Sequence, residues 1–232
     1  MRSLEDNVNR IMGEIKDICL KKGRDYKKVT LIAVTKTLDI PRIKEAIDFG
    51  IKNIGENKVQ ELMDKYDDIK DIYDIHMIGH LQSNKVKYII DKVKLIHSVD
   101  SLSLMKEINK RAKRAGVKAN VLIQVNVADE ASKFGIKLDE VKNFFDNATQ
   151  YNNVVIKGLM TIAPHVEDPE DARPVFKALK LLYDELGEKN YENVRMQHLS
   201  MGMTNDYLVA LEEGSNMLRI GTGIFGQRVY NK

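Results

Sequence analysis

Val29-Thr30-Leu31-Ile32-Ala33-Val34-Thr35-Lys36-Thr37 is a run of aliphatic and β-branched residues that ends on a lysine. Val29–Val34 is too short for a helix and too evenly apolar for a strand with one wet face. It reads as a strand buried on both sides. Runs of the same kind recur at Ile51–Ile54, Ile75–Ile78, Leu95–Val99, Val121–Val127, Val154–Met160, Met196–Leu199 and Met217–Ile220. Amphipathic, charged stretches separate them. Pro41–Phe49 reads as a helix with Asp39 as its cap, Leu102–Ala115 as another, and a leading helix spans about Leu4 to Leu20. Eight strands alternating with helices predict a parallel α/β sheet. Eight strands also close a (β/α)8 barrel, and 232 residues suit one. The competing architecture is an open doubly wound sheet, whose usual mark is G-x-G-x-x-G after the first strand. Thr35-Lys36-Thr37 stands there instead. The expectation is α/β: a single TIM-type (β/α)8 barrel with an extra N-terminal helix, one domain over residues 1–232.

Composition narrows the function classes. Lys and Arg number 37 against 34 Asp and Glu, a net charge of +3. That argues against a dedicated nucleic-acid binder, which carries a clustered basic patch. Cys19 is the only cysteine, which excludes an intramolecular disulfide and a cysteine zinc site. His76 and His80 lie four apart, but on a strand, and the five histidines show no ligand cluster, so no metal is expected. No apolar run approaches the roughly 18 residues of a membrane span. The N-terminal segment is charged throughout and lacks a signal-peptide core, so the cytoplasm is the expected compartment.

In a barrel, chemistry sits at the C-terminal ends of the strands. Lys36 ends the first strand on the parity of Ile32 and Val34, which points it into the barrel mouth. An amine there is a candidate for Schiff-base chemistry; the competing reading is a lysine that reaches solvent. Gly55-Glu56-Asn57 ends the second strand. There Asn57 is either an amide donor and acceptor in the mouth or a helix cap. The seventh strand runs into Leu199-Ser200-Met201-Gly202-Met203, and the eighth through Leu218-Arg219-Ile220-Gly221-Thr222-Gly223. Glycines let backbone N–H groups approach an anion, and barrels often bind phosphate after strands seven and eight. Ser200 and Thr222 add hydroxyls. Arg219 shares the parity of Gly221 and Gly223; pointing inward, it is a buried cation that needs a partner. Lysine, arginine and phosphate nest suit a small molecule with an aldehyde, an aromatic nitrogen and a phosphate. Pyridoxal 5'-phosphate (PLP) has all three. A sugar-phosphate aldolase would also use a lysine and a phosphate nest.

Several segments together resemble the pyridoxal phosphate homeostasis protein family (YggS/PROSC-like), related to the N-terminal barrel of alanine racemase. They are Ile32–Lys36, Gly55-Glu56-Asn57 with Gln60-Glu61, His76–Lys85, Gly158–Thr161, Leu199–Thr204 and Arg219–Gly226, in the family's order and spanning nearly the whole chain. The resemblance implies a PLP aldimine on Lys36, phosphate contacts from Ser200, Gly221, Thr222 and Gly223, and Arg219 near the pyridine nitrogen. It implies that Asn57, Met160 and Met201 line the cofactor, with His80 as a neighbour. Ile75, Thr204 and Asn216 depart from the family's usual residues, and Asn216 bears on how the eighth strand is held.

An arginine beside the pyridine nitrogen does not keep it protonated, because the guanidinium is itself a cation. Racemisation needs a second proton carrier opposite Lys36. Alanine racemases take a tyrosine from a C-terminal domain, and this sequence ends at Lys232; Tyr207 is the tyrosine that follows closely on the seventh strand. The expected function is reversible PLP binding in intracellular PLP homeostasis without catalytic turnover, with apo PLP enzymes as recipients. The expected state is a monomer without nucleic-acid or membrane partners. The alternatives are a PLP-dependent amino-acid racemase and a non-catalytic interaction protein with a relict site.

Overall fold

The computed structural model describes residues 3–130 and 132–227. In chain order the elements that build the barrel are helix α1 (Leu4–Lys21), β1 (Thr30–Val34), α2 (Ile40–Glu45), β2 (Asn53–Glu56), α3 (Val59–Ile69), β3 (Asp74–Met77), α4 (Val86–Ile89), β4 (Leu95–Val99) and α5 (Leu102–Ala115). They continue with β5 (Ala119–Asn126), β6 (Ile136–Lys137), α6 (Val141–Ala148), β7 (Val154–Met160), α7 (Arg173–Glu188), β8 (Val194–Ser200), α8 (Tyr207–Glu212), β9 (Met217–Ile220) and α9 (Thr222–Phe225). Every strand pairing is parallel. The ring closes because β4 pairs with β5 and β1 with β9. The result is the expected eight-stranded barrel; β6 stands outside the ring, a two-residue strand on the end of β5.

The second strand lies later in the chain than its apolar run. The Ile51 amide still closes the preceding helical turn on the Ala46 carbonyl, while Gly55 and Glu56 pair with His76 and Met77. The seventh predicted strand starts earlier, at Val194, and runs to Ser200. Asn216, one of the departures from the family pattern, holds this edge. It accepts from the Leu199 amide (2.8 Å) and donates to the Gln197 carbonyl (2.7 Å).

Helix α1 is capped by Ser3, whose hydroxyl accepts from the Asp6 amide. It buries Leu4, Val8, Ile11, Ile15 and Cys19, one stripe at helical spacing, beside α8 and α9. Most of the core lies between barrel and helices. Inside the barrel, Ile32, Leu95, Leu122, Met160 and Met217 form a second, small apolar cluster. Gly158 shows how tightly the ring closes: its φ is +145°, and a Cβ there would lie 1.8 Å from the His198 carbonyl oxygen. Among the described residues, no helix is long and apolar enough to cross a membrane.

Candidate functional site

The alternation of β1 sets the site. Leu31 and Ala33 face the outer core and Ile32 the barrel interior. Continued one step past the strand, this parity brings Lys36 to the mouth and Thr35 to the helices. A cavity of about 470 Å³ opens at the mouth, and Lys36, Arg219, Gly221 and Thr222 line it together. Val34, Lys133, His165, Met203, Thr204 and Asp206 complete much of the wall. Four of the ten site residues expected from the sequence therefore share one cavity of small-molecule size.

Thr204 ties the loop after β8 to the loop after β9. Its hydroxyl accepts from the Gly223 amide and from Thr222 Oγ1, each at 3.2 Å. Gly223 is constrained by this contact, since a Cβ would meet Ile220 at 2.8 Å and Thr204 at 3.2 Å. Gly202, with φ +97°, lets the other loop pass over Ala210.

Arg219 is 4% exposed; among the described residues Asp206 is the carboxylate whose charge acts on it, and its hydrogen bonds go to neutral groups. It donates to Ser200 Oγ at 2.6 Å and to the Thr161 carbonyl at 2.8 Å. Burial pulls its pKa down to about 10, with Asp206 acting the other way. Asp206 is itself held up by burial, although the Met203 amide donates to it.

Ser200 begins a polar column through the barrel. His97 Nδ1 lies 3.2 Å from Ser200 Oγ, His97 Nε2 lies 3.0 Å from His76 Nδ1, and His76 Nε2 lies 3.1 Å from Asn53 Oδ1. Arg219 can only donate, so Ser200 accepts from it and passes its own hydrogen to His97. Each histidine then donates from Nε2, and the chain ends on the Asn53 carbonyl. Burial pushes the His97 pKa well below the usual value and that of His76 down to about 3, so both rings are neutral.

The other expected residues lie around the cavity or away from it. Met160 belongs to the inner apolar cluster and Met201 to the outer core. Asn57 is half-buried; its backbone packs against Gly79, where a Cβ would meet the Asn57 carbonyl at 2.2 Å. His80 is exposed, 3.2 Å from Asp100 Oδ2, and its ring stacks on Phe134 at 3.7 Å between centroids. Tyr207 turns away from the mouth. Its hydroxyl meets Glu14 and Arg10 of α1, and no described tyrosine lines the cavity. Residues that sequence reasoning missed are Lys133, His165 and Asp206, which come from loops with no strand-end signal.

Residues 15–229 match the family model described as alanine racemase, N-terminal domain. The pyridoxal phosphate homeostasis protein of Aquifex aeolicus is 44% identical over 226 residues, covering 97% of this chain and 98% of the relative. The chain belongs to the pyridoxal phosphate homeostasis protein family. Among solved structures, PipY of Synechococcus elongatus with PLP bound superposes with a TM-score of 0.79 at 29% identity, covering 92% of this chain and all of that one. Alanine racemase from Corynebacterium glutamicum, 12% identical, shares the barrel fold at a TM-score of 0.73 over 98% of this chain and 63% of its own.

Proposed function

We propose that this protein binds PLP reversibly at Lys36 and serves PLP homeostasis, holding the cofactor and releasing it to apo-enzymes, without turnover of its own. The observation that carries this is the shared cavity of Lys36, Arg219, Gly221 and Thr222. The residues fit the group. Arg219 is a buried cation that opens onto the cavity and hydrogen-bonds only neutral groups among the described residues, with two of its donors already engaged inside the barrel. Its remaining N–H groups suit an uncharged ring nitrogen, which accepts. The laced loops of Thr204, Gly221, Thr222 and Gly223 suit the phosphate. Ser200 is engaged with Arg219 and His97, so its part is to hold Arg219 as much as to reach phosphate.

Bound PLP supplies an aldehyde that condenses with a primary amine and releases water. Lys36 supplies that amine. Arg219 donates to the ring nitrogen without giving up a proton, which disfavours carbanion chemistry. Tyr207 is anchored to α1 and cannot act as a second proton carrier. A racemase reading would have to use Lys133, His165 or Asp206 of the cavity wall.

The test is an absorbance titration of purified protein with PLP, alongside Lys36→Ala, followed by mixing the loaded protein with an apo PLP enzyme. The reading expects saturable binding, loss of the covalent band in the variant and recovery of apo-enzyme activity. No transfer, or steady racemisation of amino acids abolished by Lys36→Ala, would count against it. We further propose one domain over residues 1–232, a monomer, PLP and apo PLP enzymes as its partners, and the cytoplasm as its compartment.

A further inference from the structure

Lys36 is flanked on both sides by residues tied to one charge cluster, Glu56 and Lys65 buried and Glu61 partly so. Before it, Thr35 is fully buried on the outer face of the barrel; its hydroxyl donates to Glu56 Oε1 at 2.6 Å. The Thr35 carbonyl accepts from Lys65 Nζ at 2.9 Å. After it, Thr37 donates its backbone N–H to Glu61 Oε1. Thr37 has φ +64°, a left-handed conformation that is costly for a β-branched residue and persists only where its surroundings impose it.

Lys65 is the hub. Its three N–H donors are all used, on the Thr35 carbonyl, on Glu56 at 3.0 Å and on Glu61 at 2.7 Å. Glu61 and Lys65 lie one turn apart on α3, so one helix face reaches both sides of the lysine-bearing turn. The cluster is expensive to keep. Two carboxylates meet one ammonium, and Glu56 Oε2 is buried with no hydrogen-bond partner. An apolar packing of equal volume would usually be no less stable. The PLP function argued above gives no role to Glu56, Glu61 or Lys65.

We propose that Glu61 and Lys65, with Glu56, are positioning residues for Lys36. They fix the backbone on both sides of it, so that its amine projects into the cavity at a set angle and the aldehyde carbon is captured there. The inference rests on PLP attachment at Lys36 and adds the residues that make that attachment favourable. In the step itself a C=N bond replaces the aldehyde C=O, and the oxygen leaves as water with the two amine hydrogens. The cluster touches none of these atoms.

A double-mutant test separates positioning from mere structure. Glu61→Ala removes the Thr37 anchor from a partly exposed position, and Glu61→Gln keeps a carbonyl acceptor for the Thr37 amide. PLP affinity is measured by equilibrium dialysis in the native and Lys36→Ala backgrounds, with melting temperatures in parallel. Glu61→Ala is expected to weaken binding on the order of tenfold when Lys36 is present. It should change binding by less than about twofold when Lys36 is absent. Glu61→Gln should recover most of the loss. Lys65→Met, the second variant, should show the same dependence on Lys36. Equal losses in both backgrounds, or no loss in either, would overturn the proposal while leaving PLP attachment standing. No borohydride-trapped PLP on Lys36 of the native protein would overturn both.

Discussion

Mild acid should weaken this protein from inside the barrel, and the share of His76 can be worked out. The perturbation is a fall from about pH 7 to about pH 5. Burial lowers the His76 pKa from 6.5 to about 3, so the folded state keeps it neutral while the unfolded chain takes up a proton below about 6.5. The folded pKa is the lower one. Its contribution is therefore fully present above about pH 6.5 and lost as pH falls towards 3. Over the 1.5 pH units from 6.5 to about 5, at roughly 1.36 kcal/mol per unit, the loss is about 2 kcal/mol. His97 acts in the same direction, as does His198. Glu56 and Asp206, both raised by burial, act the other way because their folded forms bind protons more readily. The His76 share is isolated from theirs by repeating the measurement in a His76→Asn variant, which should lose about 2 kcal/mol of the pH dependence. Against a typical stability of about 5–15 kcal/mol, the effect is large. Urea unfolding at several pH values, followed by circular dichroism, would measure it. The same pH dependence in the native protein and in His76→Asn would refute the argument. So would a His76 ring that titrates near 6.5 in the folded protein by NMR.

Other consequences follow from single contacts. Tyr207→Phe should cost about 1 kcal/mol in urea unfolding, from the lost contacts to Glu14 and Arg10, and leave PLP binding unchanged. Gly158→Ala should cost at least about 3 kcal/mol or prevent folding, because its Cβ would strike the His198 carbonyl; soluble yield and melting temperature report it. Ser200→Ala should weaken PLP binding several-fold, since Arg219 loses its 2.6 Å partner, with Lys36 still reacting; calorimetry and mass mapping together separate the two.

Much of the barrel was legible because its strands are buried on both faces and show as unbroken apolar runs. The start of the second strand slipped because apolar Ile51 still belongs to the preceding turn, while Gly55 and Glu56, read as the strand's end, do pair; β6 was invisible because two residues leave no pattern. Within the site, Lys36 and Arg219 were readable from parity alone, since strand alternation decides which residues enter the barrel. Asn57 and His80 stood in informative motifs, but the backbone at Gly79 and the ring of Phe134 account for their surroundings. The column Asn53–His76–His97–Ser200–Arg219 draws on five strands, and its members are far apart in sequence. Only the closed barrel brings them together. The clamp around Lys36 was hidden for the same reason: Lys65 reaches Thr35 across 30 residues of chain.

Lys36, and not another amine of the same cavity, is proposed to hold PLP. Lys133 also lines that cavity and is the natural competitor. Purified protein would be mixed with PLP at equal concentration, reduced with borohydride, digested and mapped by mass spectrometry. A single adduct on the peptide bearing Lys36 is the predicted result. An adduct on Lys133, labelling scattered over surface lysines, or no adduct on folded protein would contradict it.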